Sequence, residues 1–297
     1  MPKEPKHHYI PEFYSRQWCG ANDKLIEYCR RHKGVEARPT APGGTGYIRG
    51  LYRLPDAPPS EQYLVETKIM SAVDNWASRA LEKLKAPSTE VGKLQPREGL
   101  GWLQFIYSLV VRNPEQLLLI KQRLKDLDPG EVLEALRDRY PQIRTPSYPK
   151  TFEEYKEHVI RNPIDVPAPH ALPFLMKSKA VVNALGSLKW RTATLRLAKY
   201  PLLTSDRPIV MSNGFGHPDA FLMLPIGPRL LLIGTKQETT FQAVTSMDPK
   251  ALGEMMNDRV CQQAYKFVYG SDDRQLRFVA KRLGKRIWSS PLDLRQT

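Results

Sequence analysis

The chain has 297 residues, with 45 Lys or Arg against 31 Asp or Glu, and a formal net charge of +14. Apolar residues make up 41% and charged residues 26%, a composition that buries a core and excludes a disordered polyelectrolyte. Three cysteines, Cys19, Cys29 and Cys261, form no CxxC pair, which speaks against a disulfide framework or zinc–thiolate site and fits a reducing cytosol.

The opening MPKEPKHHYI has no apolar core of the secretory kind, and no apolar run reaches the ~18 residues of a membrane span. The expectation is a cytoplasmic protein with no membrane partner. A basic excess of this size favours polyanions, nucleic acid first, because each neutralised phosphate releases a counterion.

In chain order, residues 1–60 read as an irregular segment packing on the rest, with one strand at Leu25–Cys29 and a basic run at Arg30–Lys33. Pro39–Gly50 is rich in Gly and Pro and reads as loop. Its Gly43-Gly44-Thr45-Gly46 resembles a phosphate loop only superficially, since no Lys-Ser or Lys-Thr follows. From about Tyr63, Leu64, Ile69, Val73, Trp76, Ala80, Leu81 and Leu84 recur at helical spacing. Leu100–Val111 predicts a second, central helix. Asn113 and Pro114 predict the start of a third through about Leu127, and Glu131–Tyr140 a shorter one. Thr151 caps another, with Glu153 and Glu154 in its first turn.

After about residue 185 the pattern changes. Leu188–Tyr200, Pro208–Met211, Phe221–Leu224, Leu230–Ile233 and Tyr265–Tyr269 predict strands, and Asp248–Ala264 a helix between them. The fold class expected is α+β: an N-terminal irregular segment, a helical array over 61–185, then a mostly antiparallel sheet with a covering helix over 186–297. The three regions are read as one compact unit.

Four places carry candidate chemistry. In His7-His8-Tyr9-Ile10-Pro11 the extended backbone sends the two imidazoles to opposite faces, so one can be buried while the other faces a cleft. A neutral His8 there suits a general base or a ligand for a divalent metal; the plainer reading is a structural histidine. In Leu202–Pro208, Asp206 ends an apolar strand, where acid–base and metal residues sit; the plainer reading is an Asx-turn, its carboxylate bonded to nearby backbone N–H groups. Glu66, in the first turn of the first long helix, and Arg112, just after an apolar helix, form either a structural ion pair or a polar pocket shared with His7 or His8. Residues 274–286 hold six basic residues and no acidic one. On a helix Arg274, Arg277, Lys281 and Lys285 share a face, with Phe278 among them as a stacking contact for a base.

The order of HHYIPEFYSRQW, Leu64–Glu66, Arg112-Asn113-Pro114, LLTSDRPIV and Leu224-Pro225-Ile226-Gly227-Pro228 resembles the bacterial and phage family called domain of unknown function 4238. The resemblance spans roughly His7 to Tyr269. His8, Tyr9, Pro11, Ser205, Asp206 and Pro208 match the family's marked positions. Its later segment more often reads Pro-Leu-Ser-Pro, so the serine hydroxyl is missing here. The resemblance carries no activity.

Three functions follow. The leading one is nucleic-acid interaction, in phage defence or regulation. The alternatives are a metal- or His-dependent phosphodiester hydrolase using His8 and Asp206 with Glu66 or Arg112, and a non-catalytic protein-interaction module.

Overall fold

The computed structural model describes residues 3–54, 57–86, 93–126, 134, 137–143, 149–161, 169, 171–212 and 217–285. Its strands are β1 (Lys6–His8), β2 (Leu25–Arg31), β3 (Gly34–Thr40), β4 (Tyr47–Arg49), β5 (Lys189–Thr194), β6 (Thr204–Ser205), β7 (Val210–Met211), β8 (Phe221–Gly227), β9 (Leu230–Thr235) and β10 (Phe267–Gly270). The helices that position the site are α1 (Glu12–Ser15), α2 (Ser71–Leu84), α3 (Pro96–Val111), α4 (Pro114–Asp126), α5 (Phe152–Arg161), α6 (Pro249–Gln263) and α7 (Leu276–Ala280). The protein is α+β. All pairings are antiparallel, in sheets of order β1-β4, β3-β2-β10-β6 and β5-β9-β8-β7.

The sequence patterns explain these elements. FLMLPIG and LLLIGT, the latter's final Thr235 apart, are apolar because their sheet is covered on both faces. Leu222, Leu224 and Leu232 face the main core with α3, while Met223, Leu231 and Ile233 alternate onto the other side. There they meet Leu252, Met256 and Val260, which recur every four residues on α6. Asp248 caps α6 through the Ala251 N–H at 3.3 Å. Thr151 and Glu154 cap α5 reciprocally.

Two expectations are corrected. Residues 1–60 contain four strands, and Gly34–Thr40, partly assigned to loop, is the second arm of a β2–β3 hairpin. That hairpin joins the sheet of β6 and β10, so one sheet is built from both ends of the chain. The end of the predicted third helix at Leu127 and most of Glu131–Tyr140 lie outside the described residues.

Candidate functional site

The N-terminal segment is held by its aromatics. The Tyr14 hydroxyl lies 2.7 Å from both Thr204 Oγ1 and the Pro225 carbonyl, and Trp18 Nε1 donates to the Leu202 carbonyl at 2.7 Å. Both rings are fully buried. Gly46 takes φ +62° and its carbonyl accepts the N–H groups of Tyr9 and Ile10. A Cβ there would lie 2.9 Å from Ile10 Cβ, so the turn needs glycine.

As expected of an extended pair, the two histidines differ. His7 is fully buried, stacks on Tyr52 with centroids 5.5 Å apart, and accepts the Tyr52 N–H at Nδ1. His8 keeps partial exposure, tilts against Tyr47, and has Nε2 3.6 Å from Glu12 Oε1. Burial lowers both imidazole pKa values, so both are neutral at pH 7; Glu4 and Glu12 oppose the shift only in part. Neither Nε2 atom has a hydrogen-bond partner.

Arg112 is fully buried at the end of α3. Its expected partner was Glu66. The structure pairs it instead with Asp74, Nη1 to Oδ1 at 3.1 Å. The reason is local: Val65–Met70 is a π-helical turn, in which the Ser71 N–H bonds the Glu66 carbonyl, so Glu66 is not in the first turn of a regular helix. Widening the turn places Asp74 on Arg112 and leaves Glu66 at longer range. Arg112 Nε and Nη2 and Glu66 Oε2 are buried without partners. Burial raises the Glu66 carboxyl to about 7, with Asp74 adding to the shift and Arg112 opposing it. The Tyr52 hydroxyl donates to the Arg112 carbonyl at 3.0 Å, so His7, Tyr52, Arg112 and Asp74 form one polar chain, with the Glu66 carboxyl within the influence of the Arg112 and Asp74 charges.

Asp206 stands apart from it. Its carboxylate accepts the N–H groups of Tyr265 at 2.9 Å, Lys266 at 2.7 Å and Phe267 at 2.9 Å. Burial nevertheless pushes its carboxyl up to about 6. Backbone donors hold Asp206, but not in the local Asx-turn of its plainer reading: they are Phe267 at the start of β10 and the two residues before it, 59 to 61 positions along the chain. Among the described residues no group of three or more His, Cys, Asp or Glu is arranged to hold a metal ion. The charges acting on His8 are Glu12, Lys6 and Arg112, not Asp206. The Leu202–Pro208 segment is pinned further by Asn257, whose Oδ1 accepts the Leu203 N–H at 2.7 Å, and by Gln263, which donates to the Ile209 carbonyl.

The basic C-terminal run is not one long helix. α7 covers five residues and turns follow it. Arg274 pairs with Asp272 at 2.6 Å. Arg282 pairs with Asp258 and stacks 3.7 Å over Phe278, so that ring is covered rather than offered to a base. Arg277, Lys281 and Lys285 are exposed. Arg30 donates to the Leu283 carbonyl at 3.4 Å, which brings the exposed Arg30–Lys33 tip beside them.

A cleft of about 570 Å³ lies between β2, the Thr45–Ile48 turn, the start of α4 and Tyr265–Phe267. Glu27, Cys29 and Arg31 line it as alternate residues of β2. Glu27 is buried and accepts the Thr45 hydroxyl at 2.5 Å. Asp206 builds one wall by fixing Tyr265–Phe267, though it does not line the cleft itself.

The family model described as protein of unknown function (DUF4238) matches residues 6–274. The chain belongs to this family. The match covers both the His7–Pro11 and the Thr204–Pro208 segments. No curated protein and no solved structure matches the chain.

Within this DUF4238 chain the cleft residues Glu27, Tyr47, Tyr265 and Lys266 escaped sequence reasoning, as did Asp74. One signal was present: Glu27 is an acid between Leu25 and Cys29 on the same strand face, where an apolar residue is the rule. Asp74 had no comparable mark.

Proposed function

We propose that this protein binds nucleic acid through the face formed by Arg30–Lys33 with Arg277, Lys281 and Lys285. One observation carries the reading: two basic segments about 250 residues apart in sequence are joined at Arg30 and Leu283, a hydrogen bond spanning 253 positions. Arg277, Lys281 and Lys285 take part in no salt bridge with the described residues, which suits cations available to phosphates. Arg274 and Phe278 belong to the scaffold of this face rather than to its contacts.

The test is fluorescence anisotropy with labelled single-stranded and duplex DNA and RNA over a salt series. Binding is expected to weaken steeply with log salt. Replacing Arg277, Lys281 and Lys285 with Glu is expected to lower that slope by about three and to weaken all sequences alike. Unchanged binding in that variant sinks the proposal.

The hydrolase reading keeps one supporting observation, the Nε2 of the partly exposed His8, which has no hydrogen-bond partner and only Glu12 nearby at 3.6 Å. The same substrates incubated with Mg²⁺ or Mn²⁺ decide it. Cleavage lost in His8→Ala supports it, and intact substrate removes it.

A further inference from the structure

Among the described residues, three of the seven large apolar side chains left in water line the same cleft: Ile48 at 42%, Leu118 at 63% and Tyr265 at 62% exposure. Apolar surface gathered around a concavity marks a binding site more than a folded rim. The chemistry of the remaining walls narrows the ligand. Of its aromatic rings, Tyr47 and Phe267 already carry Lys6 and Lys266 over one face, and Tyr265, with Arg207 at 5.2 Å, is the ring left mostly in water for a flat apolar group. Arg31 and Lys266 supply positive charge. Glu27 presents a buried carboxylate, which is costly among such neighbours unless its lone pairs are used.

Thr45 occupies one of those acceptor positions at 2.5 Å, and Arg31 Nη2 approaches Oε1 at 3.5 Å. An ionised carboxylate has about four, so acceptor capacity remains. The complementary group has two adjacent N–H donors on a planar, stackable edge, with negative charge nearby. Guanine has this edge in its ring N–H and exocyclic amino group. Uracil shows one N–H between two carbonyl oxygens, which the carboxylate repels. Arg31 lines the cleft and Arg30 joins the basic face, and neighbouring strand residues point to opposite faces of the sheet, so a nucleic-acid strand must turn round the Arg30–Lys33 tip to serve both.

We infer that this cleft takes one unstacked guanine nucleotide, its base edge on Glu27, its ring against the aromatic wall and its phosphate toward Arg31 and Lys266. The inference rests on the nucleic-acid reading for the class of partner, and deepens it by making the binding base-selective.

Calorimetric titration with free GMP, IMP and UMP tests the cleft apart from the basic face. GMP is expected to bind about 10-fold tighter than IMP, which lacks only the exocyclic amino group, and UMP weakest. Glu27→Gln is expected to abolish the GMP preference. Should that variant not fold, Tyr265→Ala changes an exposed ring and is expected to weaken GMP at least 5-fold. Equal affinities for GMP and IMP, or no GMP binding at millimolar concentration, overturn the inference. If oligonucleotides still bind salt-dependently in that case, the basic-face reading stands alone. A GMP preference without oligonucleotide binding leaves the cleft and removes the basic face.

Discussion

At the scale of single residues, the buried polar groups are the most sensitive points. Glu66 has its carboxyl raised from an ordinary 4.5 to about 7, chiefly by burial. The folded chain therefore holds this proton more tightly than the unfolded chain. The resulting stability is present below about pH 4.5 and is lost as the pH rises through about 7. The ceiling of the effect is ~3 kcal/mol, from 1.36 kcal/mol per unit. Glu66→Gln, which stays neutral, is expected to equal the wild type near pH 4.5 and to exceed it at pH 8. Urea midpoints at the two pH values check this, and a constant difference between the proteins refutes it. His7 and His8 act in the opposite sense, since their lowered pKa values cost stability as the pH falls below about 6.5. Comparing variant with wild type at each pH removes their contribution.

Asp206 makes a second prediction at this scale. Asp206→Ala orphans the N–H groups of Tyr265, Lys266 and Phe267. A donor left unsatisfied where water does not reach it costs ~1–3 kcal/mol, so a loss of about 3 kcal/mol is expected by denaturant titration. A loss below 1 kcal/mol would show that water reaches those groups.

At the scale of elements, the packing of α2 on α3 depends on one close approach. A Cβ on Gly101 would lie 2.4 Å from the Cβ of Trp76. The two helices must separate to admit it, and α3 also bears Trp102 and Phe105 and is followed directly by Arg112. Gly101→Ala is expected to destabilise the protein by ~1–3 kcal/mol despite alanine's better helix propensity. Thermal melts of the two proteins measure it, and a rise in midpoint would contradict the close approach. Helix propensity alone gives the opposite sign, so the result separates packing from local preference.

At the scale of the whole molecule, β2 and β3 share a sheet with β6 and β10, and the Tyr14 and Trp18 side chains reach across to residues 202–225. The three regions legible along the sequence are thus not expected to unfold separately. Tryptophan fluorescence and far-ultraviolet circular dichroism are expected to show one coincident transition. Two separated transitions would restore the boundaries near residues 60 and 185.

The sequence by itself determined the class of each strongly patterned element. Apolar spacing located α2, α3 and α6, and short apolar runs between Pro and Gly located β8 and β9, because periodicity records which face a local element buries. It also marked His8, Arg112 and Asp206 as residues with an environment of their own. Only the tertiary structure decided what those environments are. Arg112 meets Asp74 because a π turn shifts the helix face, and nothing in VETKIM announces that turn. Asp206 meets Tyr265–Phe267 because β6 pairs with β10. The cleft, and the joining of the two basic segments marked in the sequence, escaped sequence reasoning for the same reason. Each is assembled from segments distant along the chain, such as Glu27 with Lys266 and Arg30 with Leu283, whose proximity is fixed by strand order rather than by local pattern.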